Sequence, residues 1–159
     1  MHLAQINIGR LLHPKDDPRV AEFMDNLHLV NSAAARMPGF VWQLTDESGD
    51  ATSIPFGDEP NMIANLTVWE SVETLQAFVF QTLHARFYRK RGAWFERLQK
   101  PHFAMWWIPV GHRPDYAEAA RKLSQLEREG PSAADAPDGV FGWAETAAAE
   151  AWRRERCAA

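Results

Sequence analysis

The sequence has a single cysteine, Cys157, close to its C-terminus. One cysteine forms no internal disulfide and no thiolate metal cluster. Long apolar runs are absent too, and nothing approaches the roughly 20 residues that a membrane-spanning helix needs. The first ten residues, MHLAQINIGR, lack the basic start and apolar run of a secretory leader. There is no basic excess. The formal net charge is −4, which gives no electrostatic reason to expect a nucleic acid or a membrane surface as partner. No P-loop, G-x-G-x-x-G or G-x-S-x-G occurs, so nucleotide-binding and serine-hydrolase chemistry have no local support. Histidine spacing gives no metal site. A cytoplasmic location is the expectation that these absences leave.

What is present is ordinary in bulk: 159 residues, 46% apolar and 24% charged, enough for one folded unit with a sizeable core. Seven tryptophans have to be buried or partnered. The chain is organised around Met62–Trp69, MIANLTVW, where Asn65, Thr67 and Trp69 alternate with Met62, Ala64, Leu66 and Val68. Period two makes this a strand with one purely apolar face and one that buries or binds through hydrogen bonds.

The same alternation marks strands at His2–Arg10, Phe40–Thr45 and His102–Pro109. In the second, Phe40, Trp42 and Leu44 oppose Val41, Gln43 and Thr45; in the fourth, Phe103, Met105 and Trp107 oppose His102, Ala104 and Trp106. Asp17-Pro18 opens a helix that Met37-Pro38-Gly39 stops. Ser71 caps a second helix toward His84 and Tyr88, with an interruption expected at Gly92. Asp115 and Glu118 cap a third, ended by Gly130-Pro131. A last helix is predicted from about Gly142, on a stripe of Phe141, Ala144, Ala148 and Trp152. Asp46–Pro60, with five acids and no base, joins two strands as an extended hairpin loop.

The order β-α-β-β-α-β with two additional C-terminal helices predicts an α+β, ferredoxin-like fold. Residues 1–131 form the domain and 132–159 an extension with one helix. A sheet covered by helices on one face only, and carrying Trp69 and Trp106 on the other, is an apolar patch that asks for a partner. A second copy of the chain, sheet against sheet, is the simplest one.

The less apolar face collects Gln5, Asn7, Asn65, Thr67, Trp69 and Trp106. In the ferredoxin-like order Asn7 and Asn65 are near neighbours. A buried amide without a partner costs about 1–3 kcal/mol, so such a face either satisfies itself internally or meets a ligand. His84, with Tyr88 one helical turn on, forms a pair able to move a proton near neutral pH. The plain alternative is a packed or solvated histidine. Arg86 belongs to a run with six bases against one acid, Arg86–Lys100, either a solvated helix face or a seat for an anionic group.

The segments HLAQINIGRL, DDPRVAEF, PGFVWQL, NLTVWESVETLQAFVF, RKRGAWFE and PHFAMWWIPVGHRP resemble a bacterial family of unknown function in the dimeric α/β-barrel superfamily. The resemblance covers roughly residues 2–131. It implies a homodimer whose sheets make a barrel, binding a small molecule between sheet and helices, as antibiotic-biosynthesis monooxygenases, haem-degrading monooxygenases and polyketide cyclases do. Haem-degrading relatives use an asparagine on strand one, a tryptophan on the second helix and a haem-ligating histidine. By place, Asn7 matches the first, Phe78 stands for the second and Tyr88 for the third, with His84 one turn early. Haem cleavage is disfavoured by those departures; haem binding stays open. The leading expectation is cofactor-independent oxygenation or cyclisation of an apolar aromatic or polyketide-like molecule. His84 and Tyr88 are then acid and base, Asn7 and Asn65 steady an oxyanion, and Gln5, Thr67, Trp69, Phe78, Trp106 and Arg86 line the substrate. The alternatives are a haem protein and a non-enzymatic, ligand-binding or structural homodimer.

Overall fold

The four alternating stretches form β1 (His2–Arg10), β2 (Phe40–Gln43), β3 (Met62–Trp69) and β4 (Phe103–Ile108). The structure is a computed structural model, and it describes residues 1–47, 49, 51–147 and 149. The strands make one antiparallel sheet in the order β2-β3-β1-β4, the ferredoxin-like arrangement. β1 and β3 pair from Leu3 opposite Trp69 to Arg10 opposite Met62, which sets Asn7 beside Asn65 as the strand order predicts.

Asp17 caps a 3-10 turn, Pro18–Val20, that leads into α1 (Ala21–Ala35). The chain then turns at Gly39, with φ of +80°; a Cβ there would lie 2.3 Å from the Thr74 side chain, so only glycine fits. Ser71 and Thr74 exchange capping bonds at the start of α2 (Val72–Gln81). Thr82, in extended geometry, stops α2 and caps α3 (Leu83–Lys90). The segment from Ser71 through Tyr88 is thus two helices, and Gly92 sits in a 3-10 turn after the second. Asp115 caps α4 (Tyr116–Glu129) through the Glu118 N–H, and Gly130 follows its end, as expected. Of the last predicted helix the described residues show a 3-10 turn, Trp143–Glu145. Ala148 and Trp152, on which its stripe depends, lie outside the described residues.

Register decides which side chains share a face. β1 sets Gln5 opposite Thr67 and Met105, and Ala4 opposite Val68 and Trp106. The amide face therefore continues through Phe103, Met105 and Trp107, not through Trp106. Trp106 lies on the apolar face, fully buried, with its Nε1–H donating to Glu118 Oε1 on α4 at 2.8 Å. The two faces of β2 also divide differently from a simple alternation. A register irregularity between Phe40 and Trp42 sends Phe40 against Trp69 and leaves Trp42 and Leu44 with the opposite core.

Neither face is bare. The amide face packs under α1 and α2, with Leu3, Ala34, Trp69, Leu75, Phe78 and Met105 as its core. The apolar face packs under α4 through Ala119 and Leu123, with Phe56 and Val140 beside them. The expected helix-free face with both Trp69 and Trp106 does not exist: Trp106 lies under α4 and the long loop, and Trp69 lies on the other face under α2. That loop, 46–60, is anchored by Phe56 edge-on to Tyr116 at 5.2 Å and by Glu59 paired with Arg10 and Lys100. Among the described residues no helix is long and apolar enough to cross a membrane.

Candidate functional site

The polar side chains of the amide face separate into a buried group and an open one. Gln5 and Thr67 are buried. Gln5 Nε2 donates to Thr67 Oγ1 at 2.8 Å and to Asn65 Oδ1 at 3.2 Å, while Trp69 Nε1–H donates to the same Thr67 oxygen at 2.9 Å. This is the internally satisfied polar layer. Gln5, Thr67 and Trp69 lie beneath the surface, where they hold Asn65 in place.

Asn7 behaves differently. It sits in the middle of a central strand, paired on both sides, and yet is exposed. Toward one end of β1 the face is closed by Leu3 and Gln5; toward the other Phe95 packs so closely over Gly9 that a Cβ there would meet the ring at 2.6 Å. The opening is one residue wide along β1, flanked by half-buried Asn65 on β3 and half-buried Phe103 on β4. The Asn7 side chain has no hydrogen-bond partner among the described residues. Asn65 spends its Oδ1 on Gln5, which fixes the amide orientation and leaves its Nδ2–H donors unspent among those residues.

α3 reaches the amide face at two points. At its start His84 lies against Phe78, 5.0 Å between ring centroids, and Phe78 stacks on Trp69 at 5.4 Å. At its far end Phe87 joins the cluster containing Ile63 and Trp94. Asn65 lies between Ile63 and Trp69 on the same face of β3. No residue of α3 is fully buried, and His84 and Phe87 are half-buried.

His84 is positioned by Thr82, whose Oγ1 donates to Phe78 O at 2.6 Å and accepts from the His84 N–H at 3.2 Å. Its ring Nδ1 lies 3.2 Å from Val79 O. A carbonyl only accepts, so Nδ1 carries the hydrogen and Nε2 keeps the lone pair. Burial lowers the pKa below the ordinary histidine value of 6.5, opposed in part by the Val79 carbonyl. The imidazole is therefore neutral at pH 7, with its basic nitrogen free. Tyr88 is exposed, stacked on His84 at 6.2 Å with the Arg91 guanidinium 4.2 Å from its ring. Arg86 points to solvent on the exposed side of α3.

Ring contacts thus join Tyr88, His84, Phe78 and Trp69, register joins Asn7 and Asn65, Gln5 and Thr67 link the two sets beneath, and Trp106 and Arg86 lie elsewhere. Thr82 and Phe103 escaped the sequence reading. A threonine within a helical stripe signals a possible cap; Phe103 is assignable only once β4 has a register. Two depressions, of about 500 and 130 Å³, lie on the other side of the sheet along α4, the smaller between Phe56, Lys100 and Leu123. The larger is lined by Glu129 with Arg121 and Arg128, and neither contains a histidine or an aromatic amide face like that around Asn7. Among the described residues no three His, Cys, Asp or Glu side chains converge as metal ligands.

No curated protein matches the chain significantly. Among solved structures it is similar to SnoaB, a cofactor-independent oxygenase from Streptomyces nogalater, at 16% identity. That match covers 70% of this chain and 98% of SnoaB, with a TM-score of 0.45. A candidate antibiotic biosynthesis monooxygenase from Chloroflexus aurantiacus is 20% identical over 72% of this chain and 98% of its own, with a TM-score of 0.43. The family model for a domain of unknown function, DUF3291, matches residues 2–157, past Pro131 and through the C-terminal segment. The chain belongs to the DUF3291 family.

Proposed function

We propose that the opening between α3 and the sheet is the active site of a small-molecule enzyme that begins by abstracting a carbon-bound proton. The observation that carries this is a half-buried, neutral imidazole linked through Phe78 and Trp69 to a sheet face that presents two amides with unspent N–H donors. His84 Nε2 takes the proton of an enolisable aromatic or polyketide-like substrate. The enolate oxygen accepts from the Asn7 and Asn65 amides, which stabilise charge where it develops. The electron-rich carbon attacks an internal carbonyl, which gives cyclisation, or dioxygen, which gives a hydroperoxide that loses water. Tyr88, beside His84, then protonates the alkoxide or peroxide oxygen so formed.

The test uses anthrone, an aromatic ketone with an acidic methylene, followed by oxygen uptake and by solvent deuterium incorporation above the buffer blank. His84→Ala should abolish both while leaving the fold intact. Unchanged rates would remove His84 from the mechanism, and no rate with any enolisable ketone would favour a ligand-binding or structural protein.

Haem binding is the second reading, favoured by the same tautomer, because a ring whose Nδ1–H is held by a carbonyl presents Nε2 as a ligand. Haemin titration decides it: a Soret shift lost in His84→Ala supports it, and the absence of any shift removes it. A homodimer remains part of the proposal, with its interface away from the sheet face that α4 occupies.

A further inference from the structure

The C-terminal segment joins the sheet at its free edge. Met105 N–H donates to Phe141 O at 2.8 Å and Phe141 N–H to Met105 O at 3.0 Å, so the segment lies against β4 as a short added strand. Val140 enters the core under α4 and Phe141 the core under α2, both fully buried, so the segment is tied to both layers. A tight turn follows. Gly142 N–H donates to Glu145 Oε2 at 2.8 Å and Thr146 Oγ1 to Trp143 O at 2.8 Å, which fixes the Trp143 backbone. The Trp143 ring then stacks on Phe103, 5.3 Å apart with planes 13° from parallel, and meets Phe80 edge-on at 5.4 Å.

Phe103 is the β4 partner of Asn7 on the amide face, and Phe80 touches Tyr88, which stacks on His84. The rings Phe103, Trp143, Phe80, Tyr88, His84 and Phe78 therefore run in unbroken contact from the sheet, through the C-terminal segment, to the helix above. We propose that Trp143 is a specificity-determining wall of the Asn7–His84 site, selecting flat conjugated ligands over saturated ones of the same outline. This rests on the opening being a ligand site, and adds to it a residue from outside the βαββαβ unit. Aromatic pairing beyond simple burial is worth about 2- to 12-fold in affinity, enough to sort planar from puckered rings.

The test compares 2-naphthoate with decahydro-2-naphthoate by calorimetry on the full chain. The wild type should prefer naphthoate, and Trp143→Phe should keep that preference. Trp143→Leu should lose about 2- to 12-fold of it, through naphthoate alone. His84→Ala should keep the preference while losing turnover, which separates the wall from the catalytic reading. An unchanged preference in Trp143→Leu overturns the wall, and failure of both ligands to bind the wild type overturns the site and the wall with it. Should the leucine variant not fold, the Trp143 indole resonance of the wild type, identified by its loss in Trp143→Phe, must shift on naphthoate addition. An unmoved resonance overturns the proposal.

Discussion

His84 makes a measurable difference through its protonation alone. Its folded-state pKa lies below 6.5 because burial penalises the imidazolium. Below pH 6.5 the unfolded chain binds this proton and the folded chain resists it, so the contribution is present above that pH and is lost as pH falls toward the folded value. His84→Gln should flatten that acidic limb of stability, read from urea midpoints between pH 7 and 5. Under the proposed mechanism kcat/KM, which reports the free enzyme, follows the neutral ring, with an acidic limb whose apparent pKa is also below 6.5. Asn7 and Gln5 make a contrasting pair. Asn7→Ala removes an exposed donor, so kcat for an enolisable ketone should fall about 10²-fold with no change in Tm. Gln5→Ala leaves Asn65 Oδ1 without its donor and Thr67 Oγ1 with the Trp69 indole alone, and stability should fall by about 1–3 kcal/mol by chemical denaturation.

At the scale of elements, the break between α2 and α3 places the imidazole. One hydroxyl, on Thr82, closes α2 at the Phe78 carbonyl and opens α3 at the His84 amide. Thr82→Ala should cost about 1 kcal/mol as a lost cap and should lower kcat more than it raises KM. Thr82→Ser, which keeps the oxygen, should restore both. The edge of β4 is the other decisive element. Phe141 is completely buried although it belongs to a segment with little regular structure. Phe141→Ala should destabilise by about 3–5 kcal/mol, a core-sized loss that thermal unfolding would show.

For the whole molecule, the covering of both sheet faces limits how two copies can meet. A sheet-to-sheet dimer through Ala4, Leu66 and Trp106 would have to displace α4 and break the Trp106–Glu118 bond. Exchange of the Trp106 indole hydrogen should therefore be slow and independent of protein concentration, even where sedimentation detects a dimer. Exchange that varies with concentration would mean that α4 yields its place to a partner.

Strand existence, helix caps and the pairing of Asn7 with Asn65 were legible in the chain itself, because they follow from period, from local side-chain bonds and from the short connections of a βαββαβ order. His84 was legible as a titratable group near a helix end. Its tautomer was not, since that depends on where the Val79 carbonyl points after α2 stops. Strand alternation alone puts Trp106 with the amides for an equally physical reason: it states which residues share a side, and only register against β1 states which side that is. The route of the last residues along β4 and the covering of the apolar face by α4 belong to the same class. They are contacts between segments far apart in sequence, settled by the collective packing of the core and not by any local pattern.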